Sequence, residues 1–192
     1  MSKDDSENGT DAETAVVLDV LPHGRTEDDR PQYEKDPLAF VLDHDDFTLY
    51  ELTLETADLS IGDRLDVYDS PQIRRTTEID YGDLPRGATT ELEYVVEDLV
   101  EENEPRFVEF YNDAQPITLR LHQLNLLPGI GKKLRNDILD ERKREPFDAF
   151  EDIAERVSGL HHPKDVLVER ITEELREDDL KYRIFARAES EA

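Results

Sequence analysis

The chain has 192 residues, enough for one large domain or two small ones, and we expect two. It carries 49 acidic and 23 basic side chains, a net charge of −26, and the acidic residues run through apparently folded segments instead of forming one tail. Lysine is scarce beside arginine, 7 against 16, which suits a surface at molar salt, where self-repulsion is screened. We therefore expect a salt-tolerant (halophilic) protein, with an acidic protein from ordinary salt as the alternative.

Two classes of protein are disfavoured by what the sequence lacks. No run of about 18 apolar residues is present, and the acidic N-terminus has no basic region leading into an apolar core, so we expect a soluble, cytoplasmic protein without a membrane partner. The absence of cysteine excludes disulfides, thiolate metal sites and a cysteine nucleophile.

The first half predicts a leader and a small β-barrel. Residues 1–13 are polar and are expected to be disordered. Runs rich in Val, Leu, Phe and Tyr follow, separated by turn residues, and they indicate an OB-like β-barrel domain over residues 14–87, although other small barrels fit nearly as well. Residues 72–87 are interpreted as a boundary with room for an irregular strand. The predicted strands cover residues 14–21, 38–43, 47–54 and 64–68.

The second half, residues 88–192, changes to a helical period. The first helix is predicted from Thr89, with Thr90 and Glu93 as a capping box. Pro105 suits the first turn of a second helix. Pro116 should end that helix before a third one begins.

Four further elements complete this half in the prediction. Thr118 should cap the third helix, and a fourth is predicted around Leu134. A fifth should begin at Asp148, which with Glu151 forms its cap, and a sixth is striped by apolar residues between 166 and 175. A short C-terminal strand is predicted at residues 181–186.

A two-glycine turn at residues 127–131 (Leu-Pro-Gly-Ile-Gly) is the strongest candidate site. Pro128 stops the incoming helix, the glycines permit a positive φ and a close backbone approach, and Ile130 can plug the turn into the core. The next helix starts with Lys132 and Lys133. Because outward N–H groups at a helix N-terminus form an anion site, the pattern predicts phosphate binding.

The charge distribution supports this position. Between Arg120 and Glu145 there are seven basic and four acidic side chains, a local charge of +3 that leaves −29 on the rest; the alternative is an ordinary solvated helix face. At about 1 M salt the Debye length is about 3 Å, so short-range amide bonds must contribute more than charge attraction. We therefore predict that nucleic acid is bound by three turn residues and three flanking cations, Gly129, Ile130, Gly131, Lys132, Lys133 and Arg135.

This turn resembles those of the helix-hairpin-helix family, whose hairpins grip a nucleic-acid backbone through glycine-turn amides without reading bases. The resemblance continues through residues 138–157, which match the family's usual continuation, where a third helix packs against the first two. Residues 157–161 (Val-Ser-Gly-Leu-His) look like a second, degenerate hairpin. There His161 replaces the second glycine, which weakens the case for phosphate binding at this copy even though Lys164 follows it.

A barrel that opens on residues 17–24 (Val-Leu-Asp-Val-Leu-Pro-His-Gly), followed by such a helical half, is similar to an archaeal family catalogued as domain of unknown function 655. The resemblance covers nearly the whole chain after the leader. It implies a predicted RNA-binding protein with no assigned reaction. The barrel is expected to add base stacking from Tyr33, Tyr50 or Tyr68, although a place in its core explains each tyrosine at least as well.

An enzyme is a weaker alternative. Helix-hairpin-helix elements also occur in DNA-repair glycosylases, where an acid beyond the hairpin such as Asp148 or Asp152 would act, but the helices around the turn lack a matching catalytic loop. The acidic cluster at residues 43–46 could hold a divalent metal, yet a tight turn explains it better. We expect no catalytic residue, no metal and no cofactor.

The sequence thus predicts an α+β protein, a small OB-like antiparallel β-barrel followed by an α-helical helix-hairpin-helix domain. Its expected partner is the phosphate backbone of RNA or DNA, with RNA slightly favoured and without strong sequence preference. A structural or adaptor protein that uses the hairpin for protein–protein contact is the alternative.

Overall fold

The structure is a computed structural model that describes residues 14–187. The predicted leader at residues 1–13 lies outside the described residues. Contacts divide the chain into two compact units, Met1–Ala88 and Thr89–Ala192. The first unit holds five strands, β1 (Ala15–Leu21), β2 (Leu38–Asp43), β3 (Leu49–Leu54), β4 (Arg64–Leu65) and β5 (Ile73–Ile79).

The five strands form one antiparallel sheet in the order β4-β1-β2-β3-β5. In β1 the register with β2 shifts between Val17 and Asp19, so Leu18 is an extra residue of the kind found in a β-bulge. The bulge places both Val17 and Leu18 in buried positions. An apolar cluster from β1, β2, β3 and β4 forms the core of this unit.

The sheet is open, so the predicted OB-like barrel is not confirmed. Within residues 14–187 no ladder joins the edge strands β4 and β5. The two edges approach at one point, where the Thr76 hydroxyl donates to the Val67 carbonyl at 3.0 Å. Strand β4 is shorter than predicted, and β5 is a seven-residue strand whose register with β3 shifts at one point, in the segment predicted as a boundary with room for an irregular strand.

The acidic cluster at residues 43–46 forms a tight turn, as its spacing indicated. The Asp43 carboxylate accepts hydrogen bonds from the amides of Asp45 and Asp46 at 2.8 and 3.3 Å. Asp46 in turn accepts from the amide of Thr48 at 3.1 Å. Burial raises the pKa of Asp43. These carboxylates therefore bind loop amides, and no group of three metal-binding side chains is arranged to hold an ion among the described residues.

The helices of the chain are α1 (Arg86–Glu102), α2 (Glu104–Asp113), α3 (Lys132–Arg144), α4 (Phe150–Arg156) and α5 (Pro163–Arg176), with a short 3-10 helix at Gln123–Leu126 before α3. None of the helices in the described region is long and apolar enough to cross a membrane. The architecture is therefore mixed α+β, as predicted.

Helix α1 begins three residues before the predicted start, so Thr90 lies inside it and is not a cap. Its first turn lies against Asp19 of β1, because a Cβ on Gly87 would meet the Asp19 carboxylate at 2.5 Å. An acidic group at this end of a helix is favourable. Any larger residue at position 87 would therefore require the Asp19 carboxylate to move.

Two other predicted caps are also wrong. The third helical element is the 3-10 helix, and its cap is His122, whose Nδ1 accepts from the Leu124 amide at 3.1 Å, instead of Thr118. Helix α4 is capped at Ala149, and Glu104 of α2 accepts the Phe150 amide at 2.7 Å. Caps supplied by distant residues leave no local sequence pattern.

The predicted C-terminal strand is absent from the described residues, and a buried carboxylate holds this segment instead. Glu174 of α5 is 0% exposed and accepts the amides of Ile184, Phe185 and Ala186 at 2.6 to 2.9 Å. It also pairs with the buried Arg170 at 3.0 Å. The tail is therefore bound to a side chain and not to a strand.

Candidate nucleic-acid interface

The residue 127–131 turn is formed by one backbone hydrogen bond and one side chain. The Ile130 amide donates to the Leu127 carbonyl at 3.2 Å, and Gly129 between them has φ +78°. This geometry is that of a turn which needs glycine at its third position. Ile130 is only 5% exposed, so its side chain plugs the turn into the core as predicted.

Asn125 fixes the turn from behind. Its Nδ2 donates to the Ile130 carbonyl at 3.2 Å, while its Oδ1 accepts from the His122 amide at 3.2 Å and from Arg135 at 3.1 Å. Sequence reasoning assigned no role to this residue, and its place just before the turn is the only signal. Asn125 therefore joins the 3-10 helix, the turn and α3.

The amides that remain available differ from those expected. Ile130 uses both its N–H and its C=O inside the turn, so it offers its side chain to the core and no amide to a ligand. In the described part of the chain, the amides of Gly129, Gly131, Lys132 and Lys133 have no acceptor. Gly131 caps α3 with φ −84°, a conformation open to any residue, and a Cβ there would meet nothing within 4 Å.

The cations of the predicted basic window fall into two groups. Some support the fold or are paired: Arg142 donates to the Tyr111 carbonyl at 3.0 Å and burial lowers its pKa, Arg144 pairs with Glu141, and Lys133 pairs with Asp137 at 3.2 Å. The other group touches no carboxylate among the described residues. It contains Lys143, in the last turn of α3, and three cations near the glycine turn, Arg120, Lys132 and Arg135.

These three unpaired cations lie together. With Leu119 and Asn125 they line a depression of about 510 Å³ next to the turn. Arg135 forms hydrogen bonds only to the amide oxygens of Asn125 and Asn136. In a chain of net charge −26, three neighbouring cations without a carboxylate partner among the described residues form a locally positive surface.

The second glycine turn, at residues 157–161, repeats the backbone of the first. The Leu160 amide donates to the Val157 carbonyl at 3.2 Å, and Gly159 has φ +98°. Both turns border a shared depression of about 300 Å³, to which the first contributes Gly129 and Gly131 and the second Ser158 and Gly159. The backbone resemblance that the sequence suggested is therefore present in the fold.

The chemistry of the second turn differs. Its helix starts with Pro163, which has no N–H, after His162 as the cap. Lys164 is paired with Glu97 at 3.3 Å and Glu101 at 3.5 Å. Desolvation alone would lower the pKa of Lys164, but the two carboxylates outweigh it, and the pKa is raised. The second turn thus lacks one helix N–H, at Pro163, and the lysine that follows it is paired with two glutamates.

Other candidates take separate positions. Asp152, considered for catalysis, accepts from the Asp148 amide at 3.1 Å and pairs with Arg156 at 3.0 Å. In the first unit Tyr33 and Tyr68 are 86% and 77% exposed, whereas Tyr50 is buried and its hydroxyl lies 2.9 Å from that of Tyr68. Tyr33 and Tyr68 are therefore accessible for stacking, and Tyr50 belongs to the core.

The fold and this site define a two-unit α+β protein whose helical unit presents two glycine turns, one of them beside unpaired cations. The chain belongs to the family described as protein of unknown function (DUF655), whose model matches residues 11–187, so the sequence-based resemblance to this family is confirmed.

Two relatives are archaeal. The chain is 36% identical over 180 residues to an uncharacterized protein of Methanocaldococcus jannaschii, a match that covers 90% of this chain and 79% of that protein. It is also similar to the crystal structure of Af1531 from Archaeoglobus fulgidus, of the same family. That match has a TM-score of 0.82 and 38% identity and covers 91% of this chain and 99% of the other.

Proposed function

We propose that this protein binds the phosphate backbone of nucleic acid, RNA in preference to DNA, through the first glycine turn, and that it does so without strong sequence preference and without catalysing a reaction. The observation that carries the proposal is the group of unpaired cations, Arg120, Lys132 and Arg135, around one depression in a chain of net charge −26. A positive surface in a chain that is otherwise strongly acidic favours an anionic partner.

The amides supply the short-range part of this interaction. Gly131, Lys132 and Lys133 present N–H groups at the start of α3, where the helix dipole favours negative charge. Because Gly131 has no Cβ and open space in front of it, a phosphate oxygen can approach the backbone closely. Amide–phosphate hydrogen bonds persist at salt concentrations that screen the cations.

The finer fold assignments belong to the same proposal. We assign residues 123–144 as a helix-hairpin-helix and residues 157–176 as its degenerate copy, on the strength of the matching turn geometry. The open sheet, whose edges approach where Thr76 contacts Val67, is assigned as an incomplete OB-like barrel. Its exposed Tyr33 and Tyr68 are the candidates for base stacking.

The absence of catalysis is also part of the proposal. The acids that a glycosylase would need are bound in the structure, since Asp152 accepts from the Asp148 amide and pairs with Arg156. A carboxylate committed to an arginine and an amide is a poor general base. A nuclease or glycosylase assay with the purified protein should therefore show no strand cleavage and no base release.

The test compares Gly131→Ala with wild type by fluorescence anisotropy on labelled single- and double-stranded RNA and DNA, over a potassium chloride series from about 0.1 to 2 M. Gly131→Ala adds one methyl group in open space at an ordinary φ, so it should fold normally. The added methyl group should keep a phosphate oxygen from the close approach that glycine permits. The resulting loss of one phosphate–amide hydrogen bond should weaken binding about tenfold. Gly82→Ala, also in open space, is the matched control and should bind like wild type.

Salt dependence gives a second readout. Lys132→Gln should reduce the slope of log affinity against log salt by about 0.7 to 0.9, one phosphate contact, while Gly131→Ala leaves the slope unchanged. Wild-type protein that binds none of the four oligonucleotides, or a Gly131→Ala variant that binds as tightly as wild type, would remove the basis of this proposal and favour a protein partner instead.

A further inference from the structure

The loop at residues 117–121 presents an apolar side chain beside the phosphate-binding surface. Leu119 is the most exposed large apolar residue of the described chain, at 106% of its reference area. It shares the 510 Å³ depression with Arg120, Lys132 and Arg135. Isolated exposed leucines are common on protein surfaces, so its exposure alone carries no meaning.

The construction of the loop distinguishes this leucine from a chance one. The amides of Ile117 and Thr118 donate to the Leu121 carbonyl at 2.8 and 3.0 Å. The Thr118 hydroxyl accepts the amides of Arg120 and Leu121 at 3.2 and 3.0 Å. Four hydrogen bonds in five residues hold Leu119 at the tip, so its outward position is built by the backbone.

The base of the loop is anchored as well. A bridge pairs Pro116 with His122, and His122 is buried and caps the 3-10 helix that leads to the first glycine turn. The tip and the turn are thus parts of one hydrogen-bonded segment. A ligand held at the turn would meet Leu119 at a fixed position.

We propose that Leu119 packs against the face of an unpaired base while Arg120 and Lys132 hold the phosphates beside it, so that the preferred ligand is a nucleic acid with an unpaired base next to a duplex, as at an overhang or a bulge. This inference rests on the proposed function and names its substrate class. In other proteins, an apolar side chain contacts the face of a base where that base has been unstacked from its neighbour.

The preference for an unpaired base follows from energetics. Inside an intact duplex each base is covered by its neighbours, and opening a step costs a few kcal/mol. One leucine buries too little apolar surface to offset that cost and also gain affinity. A base that is already unstacked needs no opening, so the leucine contact adds to binding only there.

The experiment measures the affinity of wild type, Leu119→Ser and Leu119→Met for a blunt RNA duplex and for the same duplex with a short 3′ overhang whose first unpaired base is 2-aminopurine. Wild type should bind the overhang about tenfold more tightly and change the 2-aminopurine fluorescence. Leu119→Ser should lose that preference and that change, with affinity for the blunt duplex within about twofold of wild type. Leu119→Met keeps the apolar surface and should behave like wild type.

The controls separate this inference from the proposal beneath it. Ile61→Ser removes another exposed apolar side chain, in the first unit, and should change neither ligand's affinity. If wild type binds and Gly131→Ala weakens binding while Leu119→Ser matches wild type on both duplexes, the base contact is refuted and the phosphate clamp stands. If wild type binds neither duplex but binds another of the four oligonucleotides, the base contact beside a duplex is refuted and the phosphate clamp stands; if it binds none of them, both are refuted.

Discussion

The two glycine turns of the helical unit share a backbone and differ in chemistry. Each has an i to i+3 hydrogen bond of 3.2 Å and a glycine with positive φ, at Gly129 and at Gly159. After the first turn the helix starts with two lysines, whereas after the second it starts with Pro163 and a lysine paired to two glutamates. We therefore propose that the shared turn geometry serves packing and that the residues after each turn determine whether it can bind an anion.

The largest expected effect concerns a support that only the first turn has. Arg170, paired with the buried Glu174, also donates to the Leu126 carbonyl at 3.3 Å, directly before that turn. Glu174→Gln removes the buried partner of Arg170, leaves it only the partly exposed Glu173, and should lower the free energy of unfolding by about 3–5 kcal/mol, measured by urea denaturation.

Glu173→Gln is the control for this change. Glu173 also pairs with Arg170, at 3.2 Å, but it is partly exposed and should contribute less than about 1 kcal/mol. Equal stability losses in the two variants would show that the buried pair does not hold the segment before the first turn.

The next effect tests the equivalence of the two backbones. Gly129→Ala and Gly159→Ala each force a side chain into the left-handed region and should each cost about 1–2 kcal/mol. The space in front of Gly129 is open, and a Cβ on Gly159 would contact only Leu134 at 3.8 Å, so strain and not collision is the cause. Thermal unfolding followed by circular dichroism measures both.

Oligonucleotide binding should distinguish these two variants, although their losses of stability should be similar. Gly129→Ala should weaken oligonucleotide binding because it distorts the presented amides, and Gly159→Ala should leave binding within about twofold of wild type. If both substitutions weaken binding equally, the second turn contacts the ligand, and the contrast between the turns is wrong.

A variant that gives the second turn the features of the first tests the same contrast by a gain of binding. His161→Gly combined with His162→Lys and Pro163→Ala gives the second turn a small residue, a cation and a helix N–H. Affinity should rise about three- to fivefold, with a steeper salt dependence, because a second phosphate contact becomes available. His161→Gln with His162→Gln changes two of the three positions without these features and should bind like wild type.

The sequence was informative where structure is local. Strands β1 to β3 were predicted closely because apolar runs end in turn residues, and the first turn was found because its glycines and proline are a local pattern. Strand β5 is predicted only as an irregular strand within a boundary, because its sequence, Ile-Arg-Arg-Thr-Thr-Glu-Ile, is mostly polar and half exposed. Its pairing with β3, and not its own composition, makes it a strand.

Features made by distant partners were not predictable. The first turn of α1 lies against Asp19 and the C-terminal segment is bound by Glu174, and neither contact leaves a spacing signal. In the site, Gly131, Lys132 and Arg135 were identified, but Leu119 and Arg120 join them only because the 117–121 loop folds back through its own hydrogen bonds. Ile130 was included for an amide that the turn itself uses.

The smallest expected effect is a pH dependence of stability from His122, which caps the 3-10 helix before the first turn. His122 Nδ1 accepts the Leu124 amide, and burial, followed by the charges of Arg142 and Arg135, lowers the pKa of His122. The unfolded chain, with a pKa of about 6.5, therefore takes up a proton at a higher pH than the folded one. Stability from this residue is complete above about pH 6.5 and decreases as the pH falls below it, until the folded-state pKa is reached.

His122→Asn should remove this dependence. Asparagine can accept the same amide hydrogen bond but does not titrate, so the variant should lose less stability than wild type between about pH 7 and pH 5, measured by urea denaturation at each pH. His23→Asn, which changes an exposed histidine in the first unit, should follow wild type. If His122→Asn and wild type lose stability in parallel, the histidine cap does not link protonation to the segment that carries the first turn.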